Sequence, residues 1–144
     1  MDLKSIAKDL LNILQYLHTR NPIVIHRDLK PSNILLGDRS AHSPGEVCLV
    51  DFGSVQTAIQ GGTRTIVGTY GYMPPEQFGG QTSAASDLYA LGATLIFLAT
   101  GKHPDQLPQR KLWIKFESQS HLNPSFIDYL KALTAWLDLS ITKT

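Results

Sequence analysis

Polar side chains in two short segments could together hold a divalent cation and a phosphoryl group. Asp28, Lys30 and Asn33 lie in a loop between two apolar runs, and Asp51 directly follows a third run. Oxygens of Asn33 and Asp51 that arrive from different loops can chelate a hard cation such as Mg²⁺, which takes few protein ligands and completes its shell with phosphate oxygens. Asp28 is then free to orient a hydroxyl nucleophile, while Lys30 can offset the charge of a phosphoryl group in transfer. The pattern therefore predicts phosphoryl-transfer chemistry.

Three stretches with apolar residues at helical spacing must support these loops. The first runs from Leu3 to Leu17 and should end before Asn21-Pro22, because proline disfavours helical geometry in the residue that precedes it. The second, residues 83–100, is apolar nearly all round, which predicts a place at the centre of the fold. The third opens with a capping side chain and a first-turn proline at 123–125 and extends to Leu137.

Short strands and loops are predicted between the helices. Strands are expected at three short apolar runs: 23–25, 34–36 and 47–50. Residues 37–46 and 54–73 are rich in turn-forming residues and predict surface loops, the second of them long enough to be functional. Tyr16, Trp113 and Trp136 lie in amphipathic stretches and are expected in the core.

Composition excludes several classes of protein. A chain of 144 residues is sized for one domain, and an apolar content of 42% supports a packed core. The 13 Lys and Arg against 12 Asp and Glu leave a net charge of +1, which gives no basic field for nucleic acid. The single cysteine, Cys48, fits a reducing compartment, and no apolar run is long enough to cross a bilayer. We therefore expect a cytoplasmic protein with no membrane segment in this chain.

Five motifs resemble, in the same order, those of a serine/threonine protein kinase catalytic domain. They are His-Arg-Asp-x-Lys-x-x-Asn at 26–33, Asp-Phe-Gly at 51–53, Gly-Thr at 68–69, Pro-Pro-Glu at 74–76 and Ser-Asp-Leu-Tyr-Ala-Leu-Gly at 86–92. One motif alone would be a weak signal, whereas the ordered set is specific. The resemblance covers most of the chain and implies an α+β, mainly α fold. Residues 1–144 would be the C-lobe of the kinase domain, with short strands beside the catalytic loop, which is residues 26–33, and no N-lobe.

The resemblance implies catalytic and binding roles for the matched residues. Asp28 would be the catalytic base or the group that orients the acceptor hydroxyl, and Lys30 would contact the γ-phosphate of ATP. Asn33 and Asp51 would be the Mg²⁺ ligands and so contribute to binding of the nucleotide. Thr69 would line the substrate site, and lysine at position 30 is typical of kinases that phosphorylate serine or threonine.

Regulatory and structural roles are implied for further residues. Arg27 resembles the arginine that binds an activation-loop phosphate, and Thr63 and Thr65 are candidate carriers of that phosphate, added by an upstream kinase or by self-phosphorylation. Structural roles are implied for three residues: His26 beneath the loop, Glu76 in an ion pair, and Asp87 as an anchor of the catalytic-loop backbone.

The implied reaction is transfer of the ATP γ-phosphoryl group to serine or threonine in a protein substrate. No glycine-rich Gly-x-Gly-x-x-Gly segment precedes residue 26, so we expect the 144 residues by themselves to turn over slowly or not at all, and to expose an apolar patch. A catalytically inactive interaction module of the same fold is the alternative. A small-molecule phosphotransferase is disfavoured by Pro-Pro-Glu at 74–76 and by the long threonine-bearing loop.

Overall fold

A computed structural model of the chain describes residues 2–37, 45–51, 56–57, 68–110, 113–119 and 121–135. The helices in this part of the chain are α1 (Leu3–His18), α2 (Pro75–Phe78), α3 (Ala84–Thr100) and α4 (Pro124–Leu133). Single turns of 3₁₀-helix occupy Pro31–Asn33, Pro104–Gln106 and Glu117–Gln119. The strands are β1 (Val24–Ile25), β2 (Ile34–Leu36), β3 (Val47–Leu49), β4 (Gln56–Thr57), β5 (Gln109–Arg110) and β6 (Trp113–Ile114). The fold is thus rich in helix and low in strand, which confirms the mainly α expectation.

Within the described ranges, three antiparallel two-stranded sheets accompany the helices. β1 pairs with β4, β2 with β3, and β5 with β6. Strand β4 corrects the sequence expectation, because it falls inside the stretch 54–73 that was predicted to be a loop. Gln56 and Thr57 carry no alternating pattern, and they form a strand because β1 supplies the hydrogen-bonding partner. Ile23 and Val50, at the ends of two predicted strands, lie outside β1 and β3.

Helix α3 lies at the centre of the fold, as its sequence predicts. Leu91, Leu95 and Ile96 are fully buried, and α3 packs against both α1 and α4. Its amino end begins after Ser83, whose backbone N–H donates to the Ser86 hydroxyl over 3.0 Å. Because a helix that is apolar on nearly all faces has little surface suited to water, other elements must pack around most of it.

Helices α1 and α4 each begin at a capping side chain, and the cap at Asn123 is the one that the sequence predicts. The Asp2 carboxylate accepts the Ser5 N–H at 2.8 Å, and the Asn123 side-chain oxygen accepts the Phe126 N–H at 2.8 Å. Each cap satisfies an amide that has no partner within its helix. Helix α4 ends at Leu133, four residues before the predicted end at Leu137, which lies outside the described residues. No helix in the described ranges has the length and apolarity needed to span a bilayer.

Two of the three aromatic residues expected in the core are on the surface, and the prediction was wrong for them; Trp136 lies outside the described residues. Tyr16 is 60% exposed on the outer face of α1, where the Arg20 guanidinium covers its ring at 4.1 Å from the centroid. Trp113 is 40% exposed in the two-residue strand β6. A tyrosine or tryptophan can keep one side in water and still fit an amphipathic pattern, so spacing alone does not decide burial.

The crossing of α3 and α4 depends on the absence of a side chain at Gly92. A Cβ added at this position would lie 2.7 Å from Thr134 Cγ2 and 2.8 Å from Leu133 Cβ. Gly92→Ala is therefore expected to lower the free energy of unfolding by about 1–3 kcal/mol, although alanine favours helix more than glycine does. Urea denaturation measures the change. Gly79→Ala, where the added Cβ meets its nearest atom at 3.4 Å, is the control and should change stability by less than about 1 kcal/mol. Equal stability of the two variants would contradict the close crossing.

Candidate catalytic site

The β2–β3 hairpin brings Asn33 and Asp51 to the same end of one sheet. Asn33 directly precedes β2 and Asp51 lies two residues after β3, with Ile34 paired to Leu49. The Val50 N–H donates to the Asn33 carbonyl at 2.8 Å, so the pairing continues beyond the strands up to the residue before Asp51. An antiparallel pair in this register places the loop before one strand beside the loop after the other.

Asn33 and Asp51 offer oxygen ligands in different settings. Asn33 is buried and its Nδ2 donates to the Asp28 carbonyl at 2.8 Å, so Oδ1 is the side-chain atom that can bind a cation. Asp51 is exposed and has a left-handed backbone with φ of 60°. The described residues contain no cluster of three or more His, Cys, Asp and Glu side chains suited to a metal. One amide and one carboxylate oxygen suit Mg²⁺ that takes its other ligands from phosphate and water.

A threonine far along the chain joins the two charged residues of the catalytic loop. The Thr69 hydroxyl donates to Asp28 Oδ1 at 2.7 Å, although the two residues are 41 positions apart. Lys30 Nζ donates to Thr69 Oγ1 at 3.0 Å and lies 3.6 Å from Asp28 Oδ2. The three side chains form a closed triangle, which fixes the positions of a carboxylate and an ammonium group next to each other.

His26 connects the catalytic loop to the strand that leads to Asp51. The imidazole is fully buried; its Nδ1 accepts the Asp28 N–H at 3.2 Å and its Nε2 lies 3.1 Å from the Val50 carbonyl oxygen. Because Nδ1 accepts a hydrogen bond and a carbonyl oxygen at Nε2 can only accept one, the ring carries its proton on Nε2. His26 thus holds the backbone on both sides of the site, at Asp28 and at Val50.

Asp87 of α3 accepts hydrogen bonds from the backbone at the start of the catalytic loop. Its side chain is 1% exposed and accepts the His26 N–H at 2.9 Å, the Arg27 N–H at 3.0 Å and a hydrogen bond from His18 Nε2 at 2.8 Å. Arg27 has φ of 73°, a conformation that costs a residue other than glycine about 1–3 kcal/mol. The hydrogen bonds to Asp87 help to offset that cost.

The remaining residues singled out by sequence are only partly described. Thr63 and Thr65 lie outside the described residues, as do Phe52 and Gly53 of the Asp-Phe-Gly motif. Glu76 is described, and its Oε2 is buried without a hydrogen-bond partner in the described ranges. Burial, together with the nearby Glu76 carboxylate, raises the pKa of Tyr89 to about 12.

Two residues were missed by sequence reasoning: one contacts the catalytic loop, and the other contacts Asp87, which holds that loop. His18 reaches Asp87 from the last turn of α1, and Gln77 donates from its Nε2 to the Arg27 carbonyl at 2.9 Å. Gln77 follows directly on the Pro-Pro-Glu motif, and His18 ends a predicted helix. Neither residue type at these positions indicates a long-range contact, so no local signal in the sequence reveals them.

Comparison with known proteins places this geometry in a family. The protein kinase domain family matches residues 1–134. The chain is 42% identical over 112 residues to the serine/threonine-protein kinase PknA of Nostoc sp., an alignment that covers 72% of this chain and 19% of PknA. It is 38% identical over 128 residues to serine/threonine-protein kinase D of Synechocystis sp., covering 83% of this chain and 24% of that kinase. Mitogen-activated protein kinase kinase 1 of Arabidopsis thaliana is 43% identical over 112 residues, 76% of this chain and 30% of that protein.

The matches agree with the family that the ordered motifs predict. The chain spans 19% to 30% of the length of these three relatives, and the kinase domain match extends from the first residue to the end of α4. The chain therefore belongs to the protein kinase family, in its serine/threonine group.

Proposed function

We propose that this chain carries the phosphoryl-transfer centre of a serine/threonine protein kinase, which transfers the γ-phosphoryl group of ATP to a serine or threonine hydroxyl of a protein substrate. The observation that carries the proposal is the triangle of Asp28, Lys30 and Thr69, in which one hydroxyl contacts both charged groups. A carboxylate and an ammonium group held side by side can bind an acceptor hydroxyl and a phosphoryl group at the same time.

Asp28 acts on the acceptor hydroxyl in this proposal. Thr69 occupies Oδ1 of the carboxylate, so Oδ2 is the oxygen that accepts the hydroxyl proton of the substrate. The acceptor oxygen then forms a bond to the γ-phosphorus, its proton passes to Asp28, and the bond from that phosphorus to the β–γ bridging oxygen breaks, so that ADP leaves. Lys30 stabilises the negative charge on the γ-phosphoryl oxygens during the transfer.

Asn33 Oδ1 and the Asp51 carboxylate are the groups that would hold Mg²⁺. When bound, the ion neutralises charge on the β- and γ-phosphates. The protein kinase family generally uses ATP and Mg²⁺, and the donor set fits this use because both residues lie at one end of the β2–β3 hairpin. The His26 contacts to Asp28 and Val50 keep the loop that bears the base next to the strand that leads to Asp51.

We propose further that residues 1–144 form the larger, mainly helical lobe of the kinase domain. Leu35 and Leu36 of β2 are 54% and 52% exposed, which supports a surface that meets another part of the kinase beside the site. Because the 144 residues contain no glycine-rich phosphate loop, we propose that they turn over slowly by themselves, each absent electrostatic donor costing about 10²–10³ in rate. Arg27, with a phosphate on Thr63 or Thr65, would regulate the activity.

A chimeric kinase tests the proposal. In it, the segment of Nostoc PknA that matches this chain is replaced by the corresponding residues of this chain, and transfer of labelled γ-phosphate to a serine- and threonine-containing protein is measured. Transfer above that of the Asp28→Asn chimera is expected. A folded chimera that transfers no phosphate, while PknA itself does, would contradict the proposal and favour the interaction module; transfer to small alcohols alone would favour the small-molecule phosphotransferase.

The Thr69 hydroxyl is expected to contribute a moderate part of the activity. Thr69→Val keeps the shape of the side chain but removes the hydrogen bonds to Asp28 and Lys30, so kcat of the chimera should fall about ten- to a hundredfold, as for loss of a hydrogen bond to a charged group. Thr69→Ser retains the hydroxyl and should stay within about threefold of the parent. Steady-state kinetics measure both. Equal activity of the valine and serine variants would show that the hydroxyl has no role.

A further inference from the structure

Both ends of one peptide unit in the catalytic loop are held by side chains. The unit joins Arg27 to Asp28. Its carbonyl oxygen accepts a hydrogen bond from Gln77 Nε2 at 2.9 Å, and its N–H donates to His26 Nδ1 at 3.2 Å. The rotation of this plane determines ψ of Arg27 and φ of Asp28, so it determines the direction in which the Asp28 side chain leaves the backbone.

The conformation held in this way is unfavourable for the chain alone. Arg27 has φ of 73°, in the left-handed region that residues with a side chain rarely adopt. Asp87 accepts the Arg27 N–H on the amino side of the residue, and Gln77 donates to the carbonyl on the other side. Such a conformation persists only when the surrounding structure fixes it, and these two side chains fix it from opposite sides.

Gln77 also contacts the loop that carries Thr69. Its side chain is 2% exposed, and a Cβ placed on Gly68 would lie 2.6 Å from Gln77 Nε2 and 3.3 Å from the Arg27 carbonyl oxygen. Gly68 has φ of 118°. Because Gly68 has no side chain, the segment that carries Gly68 and Thr69, here called the substrate-site loop, can approach the Gln77 amide. The next residue, Thr69, donates to Asp28. The buried side-chain amide of Gln77 thus lies between the loop that carries Asp28 and the loop that carries Thr69.

We propose that Gln77 is a positioning residue for phosphoryl transfer: by fixing the Arg27–Asp28 peptide plane against the substrate-site loop, it orients the Asp28 carboxylate toward Thr69. The role of Asp28 in transfer rests on the proposed function, whereas the orientation of the peptide plane does not. Gln77 acts through Asp28 and touches no reacting atom.

Amide hydrogen exchange of the 144-residue chain tests the positioning. Gln77→Met has similar length and removes the donor, so the Asp28 N–H, which belongs to the same peptide unit, should exchange about tenfold faster relative to the core amides of α3. Gly92→Ala is the matched control, because it destabilises the fold at a distance from the site and should change all protected amides in proportion to global stability. Gly68→Ala is a second variant for the same test, because it retains Gln77 but places a carbon against the side-chain amide of Gln77. Exchange of the Asp28 N–H should accelerate locally in this variant too, even if Gln77→Met fails to fold.

The chimeric kinase separates positioning from stability. Gln77→Met is expected to lower kcat about tenfold and to leave KM for ATP within about twofold, while Gly92→Ala leaves kcat within about twofold. Two results for Gln77→Met would overturn the proposal. One is exchange of the Asp28 N–H that accelerates only in proportion to the loss of global stability, and the other is an unchanged kcat in an active chimera. If the chimera is inactive with native Gln77, the proposed function fails, and the exchange measurement still decides whether Gln77 holds the peptide plane.

Discussion

Asp28→Asn should lower kcat of the chimeric kinase by about 10²–10⁴-fold, the range typical of a lost general base. Asparagine has the same shape and keeps an oxygen that can accept the hydrogen bond from the Thr69 hydroxyl, so the site should remain folded. It lacks the negative charge that, in the proposed reaction, receives the proton of the acceptor hydroxyl, and that attracts Lys30 at 3.6 Å. KM for ATP should change little, because in the proposed reaction Asp28 acts on the acceptor and not on the nucleotide.

Asp128→Asn is the matched control for this substitution. Asp128 is exposed on α4, so the same change of charge at that position should leave kcat within about twofold. Steady-state transfer of labelled phosphate measures both variants, and circular dichroism checks that each is folded. An Asp28→Asn variant that retains more than a tenth of the parent kcat would contradict the assignment of Asp28 as the base.

Asp87→Ala should lower the free energy of unfolding of the chain by about 3–5 kcal/mol, the cost of removing one partner from a buried charged contact. The substitution leaves the His26 and Arg27 amides and the His18 ring without their acceptor, and of these donors the His26 amide is fully buried. Unmet hydrogen bonds of this kind carry the full cost of desolvating each donor. Because Arg27 then loses one of the two contacts that hold its left-handed backbone, the catalytic loop should open before α3 does.

Urea denaturation of the 144-residue chain measures this loss. Asp128→Ala removes an exposed carboxylate from a helix and should change stability by less than about 0.5 kcal/mol. Asp87→Asn retains one acceptor oxygen and should fall between Asp87→Ala and the parent. A loss of less than about 1 kcal/mol for Asp87→Ala would show that the loop is held by other contacts.

The parts of the fold that follow from local patterns were predictable. The cap at Asn123, the burial of α3 and the strand at 34–36 each depend on residues within a few positions of one another. The ordered motifs also placed Asn33 before one strand and Asp51 after another, and pairing of β2 with β3 brings those two ends together. The strands and the residues at their ends were predictable, whereas their pairing was not predicted, because a short apolar run does not show which strand lies beside it.

The contacts between distant segments were not predictable from spacing. Gln77 meets Arg27 and His18 meets Asp87 because α2 and α1 pack where they do, and hydrophobic periodicity carries no information on which polar atom lies opposite which. Strand β4 shows the same limit, since its two residues become a strand only by pairing with β1. A two-residue element contains too little sequence to show a period of its own.

Analysis of the phosphorylated amino acids in the protein substrate tests directly whether this chain holds a phosphoryl-transfer centre. Three chimeric kinases are compared: one with the native residues, one with Asp28→Asn and one with Asp51→Asn. With ATP and Mg²⁺ present, the native chimera is expected to form phosphoserine or phosphothreonine, and each variant should reduce the yield by about a hundredfold or more. Equal yields from the native chimera and both variants would show that these carboxylates do not form a phosphoryl-transfer centre.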